Sequence, residues 1–278
     1  MTRLSAAIDG IGFWAKGLPD WNAAQAYVRG GGLVEGAPAR PSPQLLAPNE
    51  RRRAPDSVAV ALEVALAACH DAGRDPRTLP SVFASTHGDL AITDYMCATL
   101  ADSPRSVSPT RFHNSVHNAA AGYWTIGAGC TQATTAISAY DATFAEGLIE
   151  ALLQLHAGHD AVLLAAYDGQ STGPVAGVSP SEGLLGAAVV LSRDGRPGSP
   201  RIEAQLVAMD ARARSETLDS LVGGNAMAPM LPLFEALALG GDREVHLHAG
   251  AGRALRVRLT QSAHAARPVP VAAGALDG

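Results

Sequence analysis

The sequence predicts an α/β fold in which helices are layered on both faces of a largely buried sheet. Three observations carry that prediction. Segments with strand character alternate with segments of helical periodicity, an order that folds most readily as helix, sheet and helix layers. The run DAVLLAAY at residues 160–167 lacks the polar alternation of a half-solvated strand, so it needs cover on both sides. The chain has 278 residues, 47% hydrophobic and 17% charged, which suits a real core and lies far from the composition of disordered chains. It shows no internal repeat, low-complexity tract or second compositional regime, and residues 1–278 read as a single domain.

Residues 6–14, AAIDGIGFW, read as an opening strand, and residues 15–55, rich in Gly and Pro with a run at Gly30 to Gly32, read as mostly irregular. Residues 56–73 have Asp56 or Ser57 as cap, apolar residues at helical spacing and a closing Gly73, which predicts a helix. A buried strand follows at 80–86, a helix at 90–100, an Ala-rich helix at 116–127 and a short β-branched strand, ATTAIS, at 133–138. Residues 143–156 read as a helix with Thr143 and Glu146 as a capping box, and 160–167 as the next strand. Strands at 184–192 and 201–209 flank the turn sequence RDGRPGSP, a last helix spans 227–239, and 244–248 with 254–259 form a final strand pair. The Pro- and Ala-rich tail from Ala265 has little to bury and is expected to fray.

A net charge of −5 gives no broad basic footprint, which argues against nucleic acid as partner. No apolar stretch approaches the ~20 residues that span a bilayer, and the N-terminus lacks a basic segment followed by an apolar core, so the expected location is cytoplasmic. Cys69, Cys97 and Cys130 are odd in number and widely spaced, without zinc-type pairing, which fits a reducing compartment.

GQSTG at Gly169 to Gly173 follows a strong strand and matches the nucleophile elbow of hydrolases, with Ser171 as nucleophile. Pro174, Gly177, Pro180 and Gly183 oppose the helix that an elbow must enter, which favours a polar loop. His113 and His117 could share a helical face, and His246 and His248 a strand face, but no third ligand stands at a completing spacing. Capping or hydrogen bonding is the simpler reading, and no metal is expected. The runs GGG and GAGRA lack the strand, turn and helix of a dinucleotide loop. Arg51, Arg52 and Arg53 precede the first predicted helix; they suit docking of an acidic carrier protein or its phosphopantetheine arm, or simply form a solvated helix entrance.

RFHNSVHNAAAGYWTIGAG at 111–129 resembles the NxxAG helix of β-ketoacyl synthases, and NERRRAPDSVAVALEVALAAC at 49–69 resembles their first long helix with its arginine lead-in. With SVFASTHGDL at 81–90, the similarity covers about residues 5–195 and is greatest to the short group called chain length factors. The resemblance implies a thiolase-like fold with a complete N-terminal half (1–195), a truncated C-terminal portion (196–262) and a disordered tail (263–278). Active members place a Cys where a strand enters a helix, because the helix N-terminus carries about half a positive charge and favours the thiolate. Alignment forward from Gly122 and Gly129, and backward from Gly158, brings that position to Asp141 in SAYDATF. An Asp can cap a helix start but is a poor acyl acceptor. Cys130 stands before the ATTAIS strand, eleven residues early, and Cys69 and Cys97 read as small buried hydrophobes within helices. The family's histidine motifs HGTGT and GHxxGAxG are absent, and HLHAGAGRAL departs from both.

The resemblance therefore implies a chain length factor-like subunit, without activity alone and without a cofactor, paired with a catalytic ketosynthase in a heterodimer. That pair would serve fatty acid-like, aryl polyene or polyketide synthesis and meet the acyl carrier protein through the complex. The implied partner interface and acyl tunnel involve His117, Asn118, Trp124, Thr134, Thr135, Ile137 and Phe144. Three alternatives stand beside it: decarboxylase or thioesterase activity at Asp141, a serine hydrolase using Ser171, and a free-standing acyl or carrier-binding module.

Overall fold

The structure, a computed structural model, describes residues 3–209 and 214–261. Strand β1 spans Leu4–Ala15 and is followed by two helices in the segment expected to be irregular, α1 (Trp21–Val28) and α2 (Pro48–Arg53). Both have local causes. Asp20 caps α1 by accepting from the Ala23 N–H at 2.8 Å, and Pro48 opens α2, where its missing N–H costs nothing. Trp21 anchors α1 through edge contacts with Phe13 and Phe234.

Helix α3 (Asp56–Ala72) ends as predicted at Gly73, whose φ of 62° is left-handed. Its N-cap is Pro55, not Asp56 or Ser57; the Ser57 hydroxyl instead donates to Asp89 at 2.7 Å. Strand β2 (Ser81–Ala84) and helix α4 (Leu90–Asp102) match expectation, with Asp89 capping α4 through the Ile92 N–H. The helix expected at 116–127 begins later, as α6 (Ala119–Ala128), and a short helix that was not expected, α5 (Pro109–Asn114), precedes it across a turn holding Val116 and His117. Strand β3 is Thr134–Ile137 and helix α7 is Thr143–His156. The N-cap of α7 is Ala142 and no capping box forms, because Thr143 Oγ1 accepts from the Ala139 N–H and donates to the Tyr140 carbonyl.

Strands β4 (Ala161–Asp168), β5 (Leu185–Ser192) and β6 (Pro200–Ala208) are followed by a short helix α8 (Asp219–Val222). The last predicted helix resolves into a 3-10 turn at Ala228–Met230 and helix α9 (Leu231–Leu239), and the final pair is β7 (Arg243–His248) and β8 (Arg253–Gln261). The tail expected to fray lies outside the described residues.

All eight strands share one sheet, in the order β3-β2-β4-β5-β1-β6-β8-β7. Only the β2 pairings with β3 and β4 are parallel. Every residue of β4 is buried, and its two faces feed different cores: Val162, Leu164 and Ala166 pack with α7 and α9, while Leu163, Ala165 and Tyr167 pack with α3 and α6. This is the two-sided cover that the apolar run demanded.

Strand β1 serves two neighbours in succession, β6 through Leu4–Ala7 and β5 through Ala7–Ala15, with a register shift between Ile8 and Gly10. The shift leaves Asp9 buried, where it accepts from Ser199 Oγ and the Arg196 N–H, each at 3.0 Å, and faces Arg74 Nη2 at 3.3 Å. Burial pushes its carboxyl upward, but hydrogen bonds from Ser192, Arg196, Ser199 and Arg74 outweigh that and hold it below the usual carboxylate range. Among the described residues, no helix is long and apolar enough to cross a membrane.

Helix α3 lies directly on the β1 backbone: a Cβ at Gly12 would stand 2.1 Å from the Val64 carbonyl oxygen. Gly12→Ala should therefore force the helix off the strand and lower stability by roughly 2–3 kcal/mol, read from urea unfolding. Asp9 has a folded pKa below its unfolded value, so its stabilisation is full above about pH 4 and is lost as pH falls through the folded value. Asp9→Asn should destabilise the protein at pH 7 and flatten its stability–pH slope below that point, measured by denaturant titration at a series of pH values.

Candidate functional site

The parallel strands β2, β3 and β4 end at one side of the sheet, where open α/β sheets present their binding residues. Three turns meet there. The carboxylate of Asp168, the last residue of β4, is buried and accepts from Ser85 Oγ at 2.7 Å, the Thr86 N–H at 2.9 Å and the His87 N–H at 3.2 Å. Burial raises its pKa, with those hydrogen bonds opposing. His117 Nε2 contacts the Ser85 carbonyl at 2.7 Å, and the Ser179 hydroxyl meets His87 Nε2 at 3.1 Å, so this network ties the β2 turn to the neighbouring loops. The sequence reading missed Asp168; its signal is a carboxylate ending an otherwise apolar buried strand.

The turn after β3 is a 3-10 segment, Tyr140–Ala142, entered with Tyr140 at φ 53°. A non-glycine residue in this left-handed region needs external support. The Thr143 hydroxyl donates to the Tyr140 carbonyl at 2.6 Å and supplies it. Asp141 stands next, one residue before the cap of α7 and after β3, as the alignment expects. Its Oδ1 lies 3.2 Å from Nε2 of His248, at the end of β7. In sheet order β3 and β7 occupy opposite edges, so the sheet curls until its two ends meet across α7. A cavity of about 390 Å³ opens on this pair, walled by Pro180, Gly224, Asn225, Ala226 and Arg214. Asn225 joins the two centres by donating to the Asp168 carbonyl at 3.2 Å.

The residues expected at a partner interface divide. Strand β3 is a sheet edge with Thr134 and Ala136 exposed and Thr135 and Ile137 half-buried. Asn118 is exposed and His117 half-buried in the turn before α6. Helices α6 and α7 flank the edge and expose Ile126 (80%) and Leu153, and Phe112, Val116 and Tyr140 are exposed as well. Trp124 and Phe144 do not belong to that surface. Trp124 is fully buried against Phe83, their ring centroids 6.1 Å apart, and Phe144 packs on Phe234; both serve this chain's own core.

The three arginines of α2 also separate. Arg51 turns inward and donates to the Leu46 carbonyl at 2.9 Å. Arg52 and Arg53 line a cleft of about 810 Å³ with Lys16, Arg40 and Arg111, and Arg40 pairs with Asp56 at 2.6 Å. Ser171 is not an elbow nucleophile: its buried hydroxyl donates to the Ser181 carbonyl and accepts the Ser181 N–H at 2.8 Å, and a 3-10 turn at Gly173–Gly177 follows instead of a helix. The histidine pairs do not converge. His113 packs edge-on to Tyr123 while His117 meets Ser85, and His246 faces Glu244 while His248 faces Asp141.

Residues 21–231 match the family model described as β-ketoacyl synthase, N-terminal domain. No curated protein matches the chain. Among solved structures, the fold is similar to one described as the ketosynthase ApeO in complex with its chain length factor ApeC from Xenorhabdus doucetiae, with TM-score 0.72 at 21% identity over 92% of this chain and 99% of that one. A type II acyl-carrier protein complex with its hexaketide-bound ketosynthase, AntDE:AntF, gives TM-score 0.70 at 11% identity over 93% and 99%. The ishigamide ketosynthase/chain length factor gives 0.69 at 14% over the same shares, 93% and 99%.

The cysteines correct one expectation: Cys97 is exposed, whereas Cys69 and Cys130 are buried. Burial pushes the Cys69 thiol up to about 12. Brief N-ethylmaleimide treatment of the native protein should therefore modify Cys97 and spare Cys69 and Cys130, as read by peptide mass spectrometry.

Proposed function

The chain belongs to the β-ketoacyl synthase N-terminal domain family and has its thiolase-like fold, and from that premise we propose that it is the chain length factor-like, non-condensing subunit of a ketosynthase heterodimer. The observation that supports the reading is Asp141 between β3 and α7, 3.2 Å from an imidazole, at the position that the family resemblance assigns to the acyl-accepting thiolate. A carboxylate there cannot form the thioester on which condensation depends. Solved folds similar to this one come from ketosynthase complexes with a chain length factor or a carrier protein, which supports the same assignment.

The partner would dock on the β3 edge. Strand β3 carries only Thr, Ala and Ile, offers unpaired backbone groups along one side, and is flanked by exposed Ile126 and Leu153. Docked there, Thr134, Thr135 and Ile137 would complete the partner's sheet, and His117 and Asn118 would lie beside the shared acyl tunnel, whose depth limits chain length through apolar volume. Arg52 and Arg53, at the rim of the cleft they share with Lys16 and Arg111, would meet an acidic carrier protein. The products would suit polyene or polyketide assembly; one similar complex is described as type II PKS.

Co-expression with a cognate ketosynthase should give one complex on size exclusion at micromolar concentration, and this chain alone should associate or precipitate. Ala136→Arg places a charge on the edge and should weaken the complex by at least about tenfold while leaving the chain folded. Asp141→Ala should leave elongation by the complex near the wild-type rate. A clean monomer that never joins the ketosynthase would defeat the proposal.

A further inference from the structure

We propose that the Asp141–His248 pair has chemistry of its own: general-base hydrolysis of short acyl thioesters that enter the cavity above it. The substrate class rests on the function proposed above; the site rests on its own geometry. The carboxylate and imidazole approach to 3.2 Å, and both remain partly accessible, with side-chain exposures of 28% and 18%. They belong to distant parts of the chain, the turn after β3 and the end of β7, and only the curl of the sheet joins them.

The cavity of about 390 Å³ falls within the size range of small-ligand sites. None of the described residues that line it carries a hydroxyl or thiol, so water is the nucleophile of the proposed step. Among the described residues that line it, the charged groups are Asp141, Arg214 and Asp219, and Arg214 Nε donates to Asp219 at 2.7 Å. Asp141 facing Nε2 favours a proton on that nitrogen and leaves Nδ1 as the acceptor. The step then balances without a further reactant. The water oxygen forms a new bond to the thioester carbonyl carbon as Nδ1 takes its proton; the C–S bond breaks, and the leaving thiolate recovers the proton from the imidazolium. The products are a carboxylic acid and a thiol. Beside an active ketosynthase, such a site would clear stalled or wrongly primed acyl groups.

The test uses the full chain in complex with its ketosynthase, the ketosynthase carrying a Cys-to-Ala change at its own nucleophile, and S-acetyl and S-butyryl N-acetylcysteamine as probes, with thiol release followed by absorbance. The wild-type chain should release thiol above the buffer rate. His248→Gln and the isosteric Asp141→Asn should each lower that rate by about 10²-fold, and the double variant should be no slower than the worse single one, because the pair acts as a unit. Wild-type release no faster than buffer overturns the inference, whatever the variants do. So does undiminished release in His248→Gln whose melting temperature is unchanged. A complex that forms but does not hydrolyse sinks this inference alone, whereas a chain that hydrolyses but binds no ketosynthase sinks only the subunit assignment.

Discussion

The architecture depends on β1 being shared. A flat sheet of eight strands would keep β3 and β7 far apart, at its two rims. Strand β1 pairs with β6 through Leu4–Ala7 and with β5 through Ala7–Ala15, and a register shift at Asp9 interrupts the β5 ladder. A bulge at a buried position leaves polar backbone and a carboxylate out of water, and that is tolerable only when every group finds a partner. Arg196, Ser199 and Arg74 supply those partners, and they come from the β5–β6 turn and the end of α3. The same contacts that satisfy Asp9 therefore hold this bulge in place.

Helix α7 fills the resulting fold. Leu148, Leu152 and Leu155 share one core with β1, β4 and the strands of the curled end, including Leu247 and Leu255. Its N-terminus is held on the sheet side by the Tyr140 turn, whose left-handed backbone depends on Thr143. This geometry would present a thiolate to an acyl group were a cysteine present. On the proposed reading, Asp141 at this turn keeps the scaffold and removes the condensation chemistry.

Much of this was legible in the sequence because the signals were local. Helical periodicity placed α3 and α7, apolar or β-branched runs placed β1, β2, β3 and β4, and a glycine stop marked α3 at Gly73. The family resemblance, aligned from Gly122, Gly129 and Gly158, pointed to position 141 as the expected nucleophile position. What escaped was set by tertiary context. Trp124 looks like an interface aromatic, yet burial against Phe83 decides its role. Caps also shifted: Thr143 and Ser57 carry the right side chains, but each found a better partner across a turn or a loop. The link between Asp141 and His248 had no local signature, since 107 residues separate them and only a bent strand brings them together.

The two ends of the sheet explain why pairing should occur on one side only. Strand β7 closes its edge with Arg243, Glu244 and His246, and Glu244 is bound at 2.7 Å by Arg258 from the neighbouring strand. A second strand laid there would have to desolvate these charges, a cost of several kcal/mol per ion that few backbone hydrogen bonds could offset. Strand β3 has no such guard: its residues are small and uncharged, and both flanking helices expose apolar side chains. An edge left open in this way is prone to aggregate unless covered, so the asymmetry between the edges favours β3, beside the turn that carries Asp141, as the face for the proposed partner.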